Sequence, residues 1–164
     1  MEFAVNKSAG GIRDMRILIG TDGSEFSKAA IRECCRMLVV PNNTTIKVVS
    51  VFEDSYPIAA EPFALSPEFY QEIVDAAENQ ANHFAEEGAE LIRSCVNGAN
   101  VEIVTQVLRG SAGHQLIEQA ESWKADVIVV GSHGRGFWGR MLGSVSDAVT
   151  HHATCSVLVV RPQK

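Results

Sequence analysis

The segment GSHGRGFWGRMLGS, Gly131 to Ser144, combines five glycines with His133, Arg135 and Arg140. It follows the apolar run DVIVVG (126–131) and precedes a helical pattern that starts at Ser144. Gly131 and Gly134 remove side chains at the strand exit, so backbone amides can come close to a ligand. A helix starting at Gly143-Ser144 presents free N–H groups and the positive end of its dipole. The chemistry that suits these features is the binding of an anion, above all a phosphate. Ser144 is a good N-cap, with Asp147 three residues on to complete a capping box; its hydroxyl could instead bond a phosphate oxygen. A glycine-rich turn that joins strand to helix with no ligand is the structural alternative.

Asp22 is the second candidate. It closes RILIGTD, where a carboxylate could accept hydrogen bonds from a ribose hydroxyl or an adenine amino group, or cap the helix that follows. Two well-known nucleotide motifs are missing: there is no GxxxxGK[ST], and the first strand exit reads GTDGSE rather than GxGxxG. Phosphoryl transfer also needs charge stabilisation and a positioned water. Arg135 and Arg140 could neutralise phosphate charge or simply be solvated. His133 could contact phosphate or stand in the turn facing solvent. No nucleophile–base pair is legible. His151, His152 and Cys155 spell HHxxC, but adjacent histidines on a helix point about 100° apart and do not share one metal. His114 follows the third strand exit, and Phe137 with Trp138 would pack the glycine loop against the body or a partner.

These residues must be held by regular elements, and the periodicity supplies them. Ile17–Ile19 is a buried strand closed by Gly20, Thr21 and Asp22. From Ser24 the pattern turns helical through Ala29, Ala30, Ile31, Cys34, Cys35 and Leu38, and Pro41-Asn42-Asn43 ends it. A second strand covers 45–52, and 53–67, with Pro57, Pro62 and Pro67, reads as a long loop. A helix over 68–96 would turn Phe69, Ile73, Ala76, Ala77, Phe84, Ala85, Leu91, Ile92 and Cys95 inward. Strand 101–108, a helix capped by Ser111, strand 126–131, helix 144–152 and strand 156–160 complete the order. Alternation of this kind predicts an open five-stranded parallel α/β sheet, Rossmann-like, with helices on both faces. In such sheets ligands bind beyond the carboxyl ends of the strands, where the glycine loop and Asp22 both fall.

Composition sets the bounds. Of 164 residues, 46% are hydrophobic, which suits one domain (15–164) behind a loose leader (1–14). The net charge of −6 argues against nucleic acid or an anionic membrane as partner, yet leaves room for a locally positive loop. The leader lacks the apolar core of a signal peptide, and no stretch is long and apolar enough for a membrane span, so the cytoplasm is expected. Cys34, Cys35, Cys95 and Cys155 form no CxxC pair and read as buried free thiols in a reducing compartment.

Three segments carry a resemblance: ILIGTDGSEFSKAAI, ADVIVVGSHGRG and GSVSDAVTHHATCSVLVV. Together they resemble the universal stress protein family over about 15–162. The family's ATP-binding branch carries Gly-x2-Gly-x9-Gly-[Ser/Thr]. Gly131-x2-Gly134 and Gly143-Ser144 match it, but eight residues rather than nine separate Gly134 from Gly143. The shorter loop either displaces Gly143 and Ser144 from the phosphates or is absorbed at Gly136 and Gly139. The resemblance implies that Asp22 contacts adenosine and that the backbone of Val51 meets adenine. It further implies that Gly20 and Thr21 line the nucleoside side, and that Gly131, Gly134, Gly143, Ser144 and Val145 hold phosphate, with His133 and Arg135 beside them. ATP is the implied ligand, with Mg²⁺ riding in on its phosphates. The implied role is a homodimeric stress or signalling module, paired through strand 156–160, with at most slow hydrolysis. A non-enzymatic interaction module that binds AMP or nothing, and a true hydrolase or phosphotransferase, are the alternatives.

Overall fold

The computed structural model describes residues 15–38, 44–53, 66–96, 101–134 and 142–162. The leader, most of the 53–67 loop, and Arg135, Gly136, Phe137, Trp138, Gly139 and Arg140 lie outside the described residues. Nine elements run in strict alternation: β1 Met15–Gly20, α1 Glu25–Met37, β2 Thr44–Phe52, α2 Pro67–Val96, β3 Glu102–Arg109, α3 Ala112–Trp123, β4 Val127–Gly131, α4 Ser144–His152 and β5 Ser156–Val160. The strands form one parallel sheet in the order β3-β2-β1-β4-β5. This is the predicted α/β sheet, with helices on both faces.

Alternation along the strands divides the core in two. Ile17 and Ile19 of β1 and Ile46 and Val48 of β2 face α1 and α2, where Ala30, Ile31, Cys34, Ala89 and Ile92 are buried against them. Leu18, Val49, Ile128 and Val130 face the other way, onto Leu116 and Ala120 of α3 and Val149 of α4. The inner strands β1, β2 and β4 thus bury apolar side chains on both sides, as a parallel sheet covered on both faces requires.

The chain leaves β1 toward β2 and β3, then crosses back to lay β4 on the other side of β1. Register places Ile17, Leu18 and Ile19 opposite Val127, Ile128 and Val129. Asp126 anchors the foot of this pair: its Oδ2 accepts from the Arg16 amide at 2.8 Å, and its own amide donates to the Arg16 carbonyl at 2.8 Å. The carboxyl ends of β1 and β4 therefore open side by side, on helices that depart to opposite faces. That is the position where open sheets leave a crevice.

Two expectations need correction. Phe69 is 49% exposed, and Ala76 and Cys95 are exposed as well; the buried stripe of α2 is Val74, Ala81, Ala85, Gly88, Ala89 and Ile92. For Phe69 and Ala76 the reason is length. A 30-residue helix runs about 45 Å, longer than the strands beneath it, so its first turns overhang the sheet. The thiols likewise are not uniformly buried: Cys34 is buried, Cys35 and Cys155 are half-buried and Cys95 is exposed in the last turn of α2. Among the described residues no helix is long and apolar enough to cross a membrane.

Candidate functional site

A cleft of about 440 Å³ opens at the carboxyl ends of β1 and β4. Its volume lies in the range of small-molecule sites. Gly20, Thr21, Asp22, Val51, Gly131, His133, Gly134, Gly143, Ser144 and Val145 all line it. Of the predicted site residues, Arg135 lies outside the described ones.

Asp22 stands at one lip. Its Oδ1 accepts from the Ser24 amide at 3.1 Å and from the Ser24 hydroxyl at 2.6 Å. Ser24 in turn is the N-cap of α1, accepting from the Ser27 amide at 3.2 Å. Asp22 thus orients the capping residue instead of capping the helix itself. The Ser27 hydroxyl meets Thr21 Oγ1 at 3.2 Å, so a chain of short polar groups floors the cleft. This network locks the Asp22 carboxylate beside Gly134: a Cβ on Gly134 would lie 3.0 Å from Asp22 Oδ2. Glycine at 134 lets the Asp22 carboxylate come close to the β4 exit without a side chain in between.

The other lip is the start of α4. Ser144 is not its N-cap; Gly143 is, with extended backbone at φ −70° and ψ 161° and no side chain to cap the first turn. The Asp147 amide closes the first helical bond onto the Gly143 carbonyl at 2.9 Å. The N–H groups of Ser144, Val145 and Ser146 precede that bond and have no partner within the helix. The expected Ser144–Asp147 capping box does not form. The serine that ties this turn down is Ser146, whose buried hydroxyl reaches the carbonyls of Ser132 at 3.0 Å and Gly143 at 2.9 Å. The Gly143 amide donates to Ser132 O at 2.9 Å, which joins the β4 exit to α4 a second time. Ser144 is left outside these ties, on the cleft wall.

Gly131 has a packing part as well as its place on the cleft. A Cβ there would lie 2.7 Å from the backbone carbon of Phe26 and 2.8 Å from its oxygen. The missing side chain seats the first turn of α1 against β4, at a position that also lines the cleft. His133 does not face solvent. It is 7% exposed, its Nδ1 hydrogen-bonds with Ser132 Oγ at 3.0 Å, and its ring lies 5.2 Å from that of Phe26. Serine and histidine in contact do not make a nucleophile here. Ser132 is fully buried and does not reach the cleft, so its hydroxyl orients the imidazole.

Sequence reasoning missed the apolar wall: Val49 and Val130 from the strands, Leu142, and Ala112 and Leu116 from the start of α3. The β3 exit pointed toward α3, but through His114, which instead sits 3.3 Å from Glu118 on the exposed side. His151 is likewise exposed, with Nδ1 3.6 Å from Asp147 Oδ1. The cleft therefore joins one fixed carboxylate, the open N-terminus of a helix and an apolar wall. An arrangement of this kind suits a molecule with a flat apolar body, hydroxyls and an anionic end.

The model of the universal stress protein family matches residues 15–161, nearly the whole chain. The chain belongs to the universal stress protein family. Universal stress protein A homolog 2 of Coxiella burnetii is 40% identical over 77 residues, a match covering 46% of this chain and 53% of that relative. Universal stress protein MJ0531 of Methanocaldococcus jannaschii is 31% identical over 91% of this chain and 83% of its own length. Among solved structures, UspA from Lactobacillus plantarum superposes with a TM-score of 0.72 at 25% identity, covering 91% of this chain and 99% of that one. A universal stress protein solved in complex with cAMP gives 0.63 at 25% identity, over 91% and 98% of the two chains.

Proposed function

We propose that this chain is an ATP-binding universal stress protein, a homodimeric nucleotide-dependent stress or signalling module with at most slow hydrolysis. The observation that carries the reading is the cleft itself, with Asp22 fixed at one lip and the uncapped start of α4 at the other. Adenosine lies along Val49, Val51 and Leu116 with its ribose at Asp22, and the phosphates meet Gly143, Ser144 and Val145. Mg²⁺ travels with the phosphates, which supply most of its ligands. Slow chemistry follows from the residues present: no lysine of the P-loop kind stands in the sequence, and the buried Ser132 hydroxyl that meets His133 does not line the cleft.

The ligand content of freshly purified protein tests this. Denaturation and mass analysis of the released small molecules should yield ATP near one equivalent per chain. A chain that emerges empty and takes up no added ATP with Mg²⁺ would sink the proposal. A monophosphate in place of ATP would favour a second reading, in which the short glycine loop suits AMP or a cyclic nucleotide. The relative solved with cAMP supports that alternative.

The dimer is proposed through β5, the last strand of the sheet. Ser156 and Val160 turn their main-chain groups to β4: the Ser156 amide donates to Asp126 O at 3.3 Å, and Val160 O accepts from Ser132 at 2.8 Å. By alternation, Val157 and Val159 turn theirs to the outer edge. Val159→Pro removes an edge donor and leaves the β4 ladder intact. It should weaken self-association at least tenfold in analytical ultracentrifugation, with helical circular dichroism retained. A parent protein already monomeric at working concentration, or a variant that dimerises unchanged, would remove the β5 interface.

A further inference from the structure

The helices α3 and α4 share one face of the sheet, where Leu116 and Ala120 of the first and Val149 of the second belong to one core cluster. Two small residues set a point where they meet. A Cβ added at Gly113 would lie 2.8 Å from the Cβ of Ala148, and Gly113 is buried. Gly113 is the second residue of α3, where helix propensity by itself prefers alanine. Its backbone does not call for glycine: among the described residues the glycines with positive φ are Gly23 and Gly110. What the position requires is the absence of a methyl group. The seam is also thin. The cleft lies on its inner side, and a groove of about 400 Å³ lined by Gly113, Ile117, Ala148 and His152 lies on its outer side. The two spaces share Ala112, Ser144 and Val145 as walls.

We infer that Gly113 is a positioning residue for the cleft: by seating α3 directly on Ala148, it sets the distance between the apolar wall and the start of α4. The inference rests on the cleft being a nucleotide site. Ala112 and Leu116, one residue before Gly113 and three after it, line the apolar side. Ala148 follows Ser144 by four residues and Val145 by three, so all three lie on one side of α4. A push on Ala148 therefore moves the strip that carries Ser144 and Val145. Carbon atoms in contact sit about 3.5–4.0 Å apart, so a methyl at 113 would part the helices by about 1 Å. Both helices are anchored further in. Val149 and Leu116 are 0% and 2% exposed, and the Ser146 hydroxyl donates to the Ser132 carbonyl at 3.0 Å. The separation then falls on the two helix starts, which are the parts that face the cleft. A wall displaced by that much no longer holds a ligand against α4, because packing contacts fade within about 1 Å. Gly113 does not itself line the cleft, so it acts through this spacing.

The test compares the full chain with Gly113→Ala and with Gly113→Ala combined with Ala148→Gly, which carries the methyl across the seam. Calorimetric titration with ATP and Mg²⁺ reads the cleft, and melting without nucleotide reads the fold. Gly113→Ala should bind ATP about tenfold more weakly. It should melt about 4 °C lower, against the rise that helix propensity alone predicts. The double variant should recover the parent's affinity to within about twofold, since the seam again holds one methyl and the two propensity changes offset each other. Should Gly113→Ala not fold, the double variant carries the test: parent-like affinity supports the spacing, and a folded double variant that binds about tenfold more weakly overturns it. A Gly113→Ala protein that melts lower but binds like the parent reduces Gly113 to a packing residue, which overturns the inference and leaves the nucleotide site standing. A rise in Tm, or an affinity that the exchange does not restore, overturns it as well. A parent that takes up no ATP sinks the nucleotide reading and this inference with it.

Discussion

Asp22→Ala should lower affinity for adenine nucleotide by ten- to a hundredfold while the protein stays folded. The magnitude follows from the net worth of a hydrogen bond to a charged group, about 1.5–3 kcal/mol. The carboxylate is fixed in place, since Oδ1 is bound by the amide and hydroxyl of Ser24 and Oδ2 lies beside Gly134. The same bonds set the cost to folding. Ser24 loses its orienting partner but can still cap the Ser27 amide, so stability should fall by only about 1 kcal/mol. Calorimetric titration measures the first effect and thermal denaturation the second. Asp22→Asn keeps the turn but not the charge, and so should separate the two. Equal affinity in parent and alanine variant would take Asp22 out of the site.

Gly131→Ala should act in the opposite sense, on the fold before the ligand. The added methyl would stand 2.7–2.9 Å from the backbone carbon, carbonyl oxygen and Cβ of Phe26. Two of these are main-chain atoms and the third is fixed directly to the main chain, in the first turn of α1 held by the Ser24 cap, so none can rotate aside as a side-chain end would. Overpacking of this kind costs about 3 kcal/mol, which for a chain of this length lowers Tm by about 6–12 °C. Gly143→Ala is the control. Its nearest neighbour is His133 Cα at 3.3 Å, a tight contact but not an overlap, so its effect on Tm should be smaller. A Gly131 variant that melts with the parent would show that α1 is not seated on β4 in this way.

The sequence alone was enough for the order of elements and for which strand exits line the cleft. Period-two and period-3.6 patterns, with Ser24, Pro67 and the glycines as punctuation, are local signals, and they placed β1, α1, β2, α4 and β5 within a residue or two. Asp22 and the Gly131–Ser144 loop stood out because their residue types suit hydroxyls and phosphate wherever the chain puts them. The tertiary structure decided the rest. No periodicity states that β4 lies beside β1, more than a hundred residues away, yet that crossover brings Asp22 to Gly134 and opens the cleft. Nor does a glycine reveal what fills the space it leaves; at Gly131 this is the backbone of Phe26. Ser144 and Ser146 are equally good formers of local hydrogen bonds on paper. Ser146 ties the turn because it alone faces the buried Ser132 carbonyl, a contact between segments that fold together only when the sheet is complete. The apolar wall from Ala112 and Leu116 has the same origin. Local chemistry is written in residue type and spacing, whereas the pairing of distant segments arises from burying both faces of the sheet at once.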